Sequence, residues 1–173
     1  HTLDEAFPYI PVPGITFPFS KVPIATLKDL GVAAFRWNIH EHLGTQIDAP
    51  SHFIEGGRAL ETLVEDELFV PAVVIDISDR AAADSDAELS VEDILAWEQR
   101  FGRLPPRVCV FMHSGWSRRV GNPAEFINAD SAGMHFPGIS LGAAEFLLRE
   151  RYIAGAAVDA LSAMTREAAS RPD

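Results

Sequence analysis

Between His42 and His52 the chain reads His42-Leu43-Gly44-Thr45-Gln46-Ile47-Asp48-Ala49-Pro50-Ser51-His52, with Phe53 next. Two imidazoles, an amide and a carboxylate fall within eleven residues. Imidazole nitrogen and carboxylate oxygen are ordinary ligands of Zn²⁺ and Mn²⁺. Spacing alone does not gather them. In an extended strand His42 and Gln46 would stand about 13 Å apart at ~3.3 Å per residue, too far to share an ion. Gly44 supplies the bend, because a residue without Cβ takes positive φ freely, and Pro50 stiffens the exit. Polar residues around a glycine and a proline also make plain surface loops. Here they interleave with apolar Leu43, Ile47, Ala49 and Phe53, which a solvated turn does not need. The segment reads as a metal or catalytic site.

The elements that must hold this segment follow from local pattern. Prolines 8, 11, 13, 18 and 23 forbid a helix over the first 25 residues and predict an extended, turning arm. Its Phe7, Tyr9, Phe17 and Phe19, with Phe35 and Trp37 further on, either pack that arm or stack on a flat ligand. Val32 to Ile39 alternates loosely as a strand, and Leu60 to Leu68 reads as a short acidic helix or turn. Val70 to Ile77 is a continuous β-branched run, which predicts a strand buried on both faces. Ala81 to Asp86 reads as a polar loop. Ser90 caps an amphipathic helix through Leu95, Trp97 and Phe101 that stops at Gly102. A strand at Val108 to Met112 precedes a Ser114-Gly115-Trp116 turn. Ser140 starts another helix, and Ile153 to Asp159 is a third buried strand. Alternating strands and helices predict an α/β fold with a mixed or mostly parallel sheet.

Composition narrows the class. The chain has 173 residues, 47% of them hydrophobic, and a formal charge of −11 from 25 acids against 14 bases. Such a surface repels phosphate backbones and anionic lipids, so neither nucleic acid nor a membrane is an expected partner. Cys109 is the only cysteine, which excludes an intrachain disulfide, and its apolar neighbours predict a core residue rather than a nucleophile. No apolar run approaches the ~18–20 residues of a membrane span, and the expected location is the cytoplasm.

The eleven-residue string resembles the signature His-x-Gly-Thr-His-x-Asp-x-Pro-x-His of the cyclase family, which includes bacterial kynurenine formamidases and isatin hydrolases. Three softer stretches are similar too: His113-Ser114-Gly115-Trp116, Phe136-Pro137-Gly138-Ile139-Ser140 and Val158-Asp159-Ala160-Leu161-Ser162. The resemblance implies a swivelling β/β/α domain, homo-oligomeric, that hydrolyses an amide-type bond in an N-formyl arylamine or a cyclic amide. By position, His42 and Asp48 would be metal ligands, and His52 general base or acid on the water that the metal activates. Gln46 stands where the family has its second ligand histidine. Its carbonyl oxygen is a weaker and harder donor, which would shift preference from zinc towards manganese or magnesium, or cost affinity.

Relatives usually continue past the Asp159-Ala160-Leu161-Ser162 strand, into a stretch that supplies a further His and a Glu or Gln. This chain ends at Asp173, after Thr165 to Pro172. The expectation is one domain over residues 1–173 that lacks the family's C-terminal part. Two other functions stay open: a binding protein that kept the fold without catalysis, and a metal-dependent lyase or cyclase. Among the remaining histidines, His135 is expected at a pocket mouth, His113 as a structural or pocket residue, and His40 as packing. His1 would belong to a Ser-His start.

Overall fold

Prolines 8, 11, 13 and 18 deny the chain both helix and strand ladder over its first nineteen residues. In the computed structural model, which describes residues 1–163, this arm runs without regular structure to Ser20. The expectation for Thr165 to Pro172 lies outside the described residues. β1 (Ser20–Ala25) pairs antiparallel with β2 (Ala34–Asn38), so the end of the predicted arm is a paired strand. The register shifts between Pro23 and Ala25, which skips Ile24 close to a residue that has no N–H to give the ladder. α1 (Leu27–Leu30) fills the connection, capped by Thr26 and closed by Gly31 at φ +69°.

After short 3-10 turns at Pro50–His52 and Leu60–Thr62 come α2 (Glu65–Leu68), β3 (Ala72–Asp76), α3 (Ser78–Ala83), β4 (Glu88–Leu89) and α4 (Val91–Phe101). Then follow β5 (Cys109–His113), α5 (Pro123–Ile127), β6 (Ala129–Asp130), β7 (Gly133–Met134), β8 (Gly138–Ile139), α6 (Leu141–Phe146) and β9 (Gly155–Val158). β3, β5 and β9 form a parallel sheet in that order, with Asp76 beside His113 and Met112 beside Val158. The fold is therefore α/β, as the alternation of elements predicts. Contacts divide the chain into two compact units, residues 1–62 with 121–123, and residues 63–120 with the segment from Ala124 onward.

The second unit owns the large core. Ile75, Ile77, Val110 and Met112 from the sheet pack with Leu89, Ile94, Leu104, Ile139, Ala143 and Leu147. α4 starts where expected. Ser90 Oγ accepts from the Asp93 amide at 3.2 Å, and the Asp93 carboxylate accepts from the Ser90 amide at 2.8 Å. Inside this unit Arg151 donates to Glu98 from Nε and Nη2 at 2.7 and 2.9 Å, and both side chains are about nine-tenths buried.

Two expectations need correction. The apolar runs predict strands buried on both faces, yet Val74 and Phe111 are 57% and 42% exposed: only one face of the parallel sheet is covered among the described residues. The stretch Ala81 to Asp86 is not all loop, because its alanines continue α3 and Ala81 is buried. Among the described residues no helix is long and apolar enough to cross a membrane.

Candidate metal centre

Gly44 makes the bend that the sequence requires. Its φ is +79°, a conformation that favours glycine, and a Cβ there would also push Leu3 Cδ2 aside from 2.9 Å. The bend folds Asp48 back onto His42: Nδ1 and Oδ1 lie 3.0 Å apart. That is a hydrogen-bond distance. The same two side chains, an imidazole and a carboxylate, would be free to turn to a shared divalent ion.

The exit is held by backbone. Pro50 opens the 3-10 turn, the His52 amide donates to Ala49 at 2.9 Å, and the Ser51 amide donates to Arg58 at 3.1 Å. Gly57 lies so close to this turn that a Cβ would meet Ile54 O at 2.8 Å and the backbone of Pro50 and Ser51 at 2.9 Å. The turn delivers the His52 ring to His42, with centroids 3.9 Å apart and planes tilted by 35°. Phe53 stands edge-on to His52, with ring centroids 4.2 Å apart.

Three of the four expected residues thus meet around the His42 ring, while Gln46 is exposed and makes no contact with them that the structure records. Sequence reading passed over Glu41. Its Oε1 lies 3.2 Å from His42 Nε2, and Glu41, His42 and His52 present ligand atoms within 4.8 Å of one another. Glu41 lies past the end of β2, where the chain has left the extended form and entered a turn. A carboxylate adjoining the first histidine was the available signal. The donors fit a divalent cation: two borderline imidazoles with hard carboxylate oxygens on an otherwise exposed segment.

His40, two residues upstream, is different. Both its ring nitrogens are buried without a hydrogen-bond partner. Burial first, and the charge of His42 second, hold its pKa below the usual imidazole value.

His113 and His135 belong to the second unit and are tied to acids. His113 Nδ1 stands 3.5 Å from Asp159, whose Oδ1 accepts from the Ser114 amide at 2.8 Å and from Ser114 Oγ at 2.5 Å. Burial works to raise the Asp159 pKa, but hydrogen bonds from Ser114 and Ser117 outweigh it and leave the group below the usual carboxylate range. These bonds fix the turn at Gly115, whose φ is +73°, and Trp116 Nε1 reaches Phe126 O at 2.8 Å. His135, expected at a pocket mouth, bridges Asp86 at 2.8 Å and Asp130 at 3.2 Å. Burial raises the Cys109 thiol pKa, which suits the packing residue expected rather than a nucleophile.

Comparison with known proteins bears on the whole of this arrangement. A curated isatin hydrolase of Roseibium aggregatum is 39% identical over 126 residues, covering 69% of this chain and 48% of that enzyme. The chain therefore spans about half the length of that relative. Isatin hydrolase A from Ralstonia solanacearum superposes with a TM-score of 0.92 at 32% identity, over 100% of this chain and 69% of the other. An isatin hydrolase bound to the product analogue thioisatinate gives 0.90 at 30% identity, over 98% and 68%. The Cyclase family profile matches residues 1–163, and the chain belongs to the cyclase family.

Proposed function

We propose that this chain is a metal-dependent hydrolase that opens the amide bond of a flat cyclic amide, or of an N-formyl arylamine. The observation that carries the reading is the meeting of His42, Asp48 and His52 around one bend. The kinship with isatin hydrolases supports the substrate class.

His42, Gln46 and Asp48 would hold the ion. A bound divalent ion lowers the pKa of water towards ~7 and polarises the carbonyl under attack. His52 takes the proton from the attacking water, whose oxygen forms the new bond to the carbonyl carbon. The C–N bond then breaks, and His52 returns the proton to the leaving nitrogen. Imidazole is a side chain that can both take up and give back a proton, which both transfers require. Mn²⁺ or Zn²⁺ is the proposed ion, with Gln46 favouring the harder Mn²⁺. We further assign a homo-oligomeric state and the cytoplasm.

The Glu41–His42–His52 grouping favours a second reading, in which His52 is a ligand and the base lies elsewhere. Metal analysis of purified protein, combined with an assay of isatin ring opening, tests both. Stoichiometric Mn²⁺ or Zn²⁺ with turnover supports the hydrolase. Bound metal with no ring opening of isatin or cleavage of a formyl arylamine sinks it.

A further inference from the structure

The His42 ring carries a carboxylate at each of its nitrogens. Asp48 Oδ1 lies 3.0 Å from Nδ1, and Glu41 Oε1 lies 3.2 Å from Nε2. The proposed hydrolysis uses the first and leaves the second without a task. A neutral imidazole owns one N–H and one lone pair. When it binds an ion it spends the lone pair there and keeps its proton on the far nitrogen, where it donates to an acceptor. Of two carboxylates on opposite nitrogens, one can share the ion with the ring, and the other must take the hydrogen bond.

Which carboxylate does which follows from how each is held. Asp48 is brought to His42 across the Gly44 bend, and the chain then enters the Pro50 turn, so backbone sets its place. Its side chain is short and 40% exposed. Glu41 is 84% exposed, on a longer side chain whose rotamer freedom is lost if an ion fixes it. It adjoins His42 directly, and buried Leu43 on the other side anchors the backbone of the pair. We propose that Glu41 is a positioning residue. Its carboxylate accepts from Nε2–H of His42, fixes the rotation and tautomer of the ring, and so turns the Nδ1 lone pair towards Asp48 and the ion. The inference rests on the hydrolase reading for its ion. Glu41 is then not a third ligand beside His42 and His52, although the three present ligand atoms within 4.8 Å of one another. An acceptor of this kind makes the imidazole a better donor to metal, and its loss costs about 10–100-fold in affinity. An exposed acceptor belongs at the lower end of that range, because water competes for the same proton.

The test uses the full chain stripped of metal, its Glu41→Ala and Glu41→Gln variants, and Mn²⁺ and Co²⁺ as probes. Mn²⁺ affinity is read by competition with a fluorescent chelator, and the visible d–d bands of bound Co²⁺ report its ligands. Glu41→Ala is expected to raise the Mn²⁺ Kd about tenfold, while the Co²⁺ bands keep the position and intensity of the wild type. Glu41→Gln, whose amide oxygen still accepts, recovers most of the affinity with the same bands. A Co²⁺ spectrum altered in Glu41→Ala makes Glu41 a ligand and overturns the proposal. Glu41→Gln as weak as Glu41→Ala means that charge alone acts, and the positioning role is wrong. If the wild type opens isatin and Glu41→Ala binds Mn²⁺ equally well, the positioning role is wrong and the hydrolase stands. If Glu41→Ala weakens Mn²⁺ binding, Glu41→Gln restores it and the loaded wild type never opens isatin, the positioning role stands and the hydrolase is wrong. No binding of Mn²⁺ by the wild type overturns the proposal.

Discussion

The two compact units spend their apolar residues in opposite ways. In residues 63–120 and from Ala124 onward, a continuous cluster from Ile75 to Leu147 is shut away from water. In residues 1–62 the large apolar side chains that are buried are Phe19 and Leu43, while Ile24, Leu27, Leu30, Trp37, Phe53 and Ile54 are exposed. The chemistry-bearing segment lies in the poorly buried unit. What holds it is backbone: Gly44 and Gly57 at close approaches, and the Pro50 turn. The contrast teaches that side-chain geometry at a candidate site can be fixed by turn conformation where a core is almost absent. Variants of the first unit should therefore fail in function, and variants of the second in stability.

The largest effect is expected at Asp48. Asp48→Ala removes the carboxylate proposed as the charged ligand beside His42 and should strip the metal, with activity falling to background in the same preparation. His52→Ala should lower turnover by about 10²–10⁴-fold while metal content stays near that of the wild type. Inductively coupled plasma analysis beside a rate assay separates the two failures. If His52→Ala loses metal as fully as Asp48→Ala, His52 is a ligand and the Glu41–His42–His52 grouping is the site.

Leu147→Ala attacks the other side of the comparison. Leu147 is fully buried in the cluster, so truncation should cost about 2–5 kcal/mol of stability and leave the metal content of the folded protein unchanged. A denaturant titration with metal analysis on the folded fraction reads both. Loss of metal from folded Leu147→Ala would show that the two units are not separable in the way their packing suggests. Gln46→His should have a smaller effect, raising affinity and turning preference towards zinc. Weaker zinc binding in that variant would remove Gln46 from the ligand set.

How far the sequence carried this reading depends on whether local rules were in charge. The Ser90 cap, the Gly102 stop and the three strands of the parallel sheet follow from spacing and capping chemistry, and all form. The demand that Gly44 bend the chain was a matter of reach alone, and its φ of +79° agrees. Pairing of β1 with β2 was not legible, because prolines 18 and 23 mask the strand and its partner decides it. The open face at Val74 and Phe111 was not legible either. β-branched runs record that a strand prefers cover, and they do not say whether the chain provides it. Glu41 was missed because it lies past the end of β2, in a turn that no local periodicity describes. The partners of His135 escaped for another reason, since Asp86 lies 49 residues away and no local pattern joins them.

His135 gives the smallest predicted effect, and one whose sign is fixed. One nitrogen faces Asp86 and the other Asp130, and only an imidazolium has a proton for each. Asp86 first and Asp130 second raise its pKa above the usual value. A raised folded pKa means that this contribution is complete below the unfolded imidazole value of about 6.5 and is lost as pH rises through the folded value. The carboxylates run the other way. Arg151 above all holds the Glu98 pKa down, and the serines around Asp159 do the same for that group. Their contributions are complete above about pH 4–5 and fade as pH falls through the depressed values. Wild-type Tm should therefore decline on both sides of a maximum near pH 5–6.5. His135→Gln keeps at most one of the two bonds at any pH, so its Tm should lie lower in the acid half and meet the wild type on the alkaline side. The acid decline, which belongs to Glu98 and Asp159, should survive the substitution. Scanning fluorimetry from pH 4 to 9 on both proteins reads the difference. If the two Tm curves run parallel across the imidazole range, His135 is not the bridging cation that its two carboxylates imply.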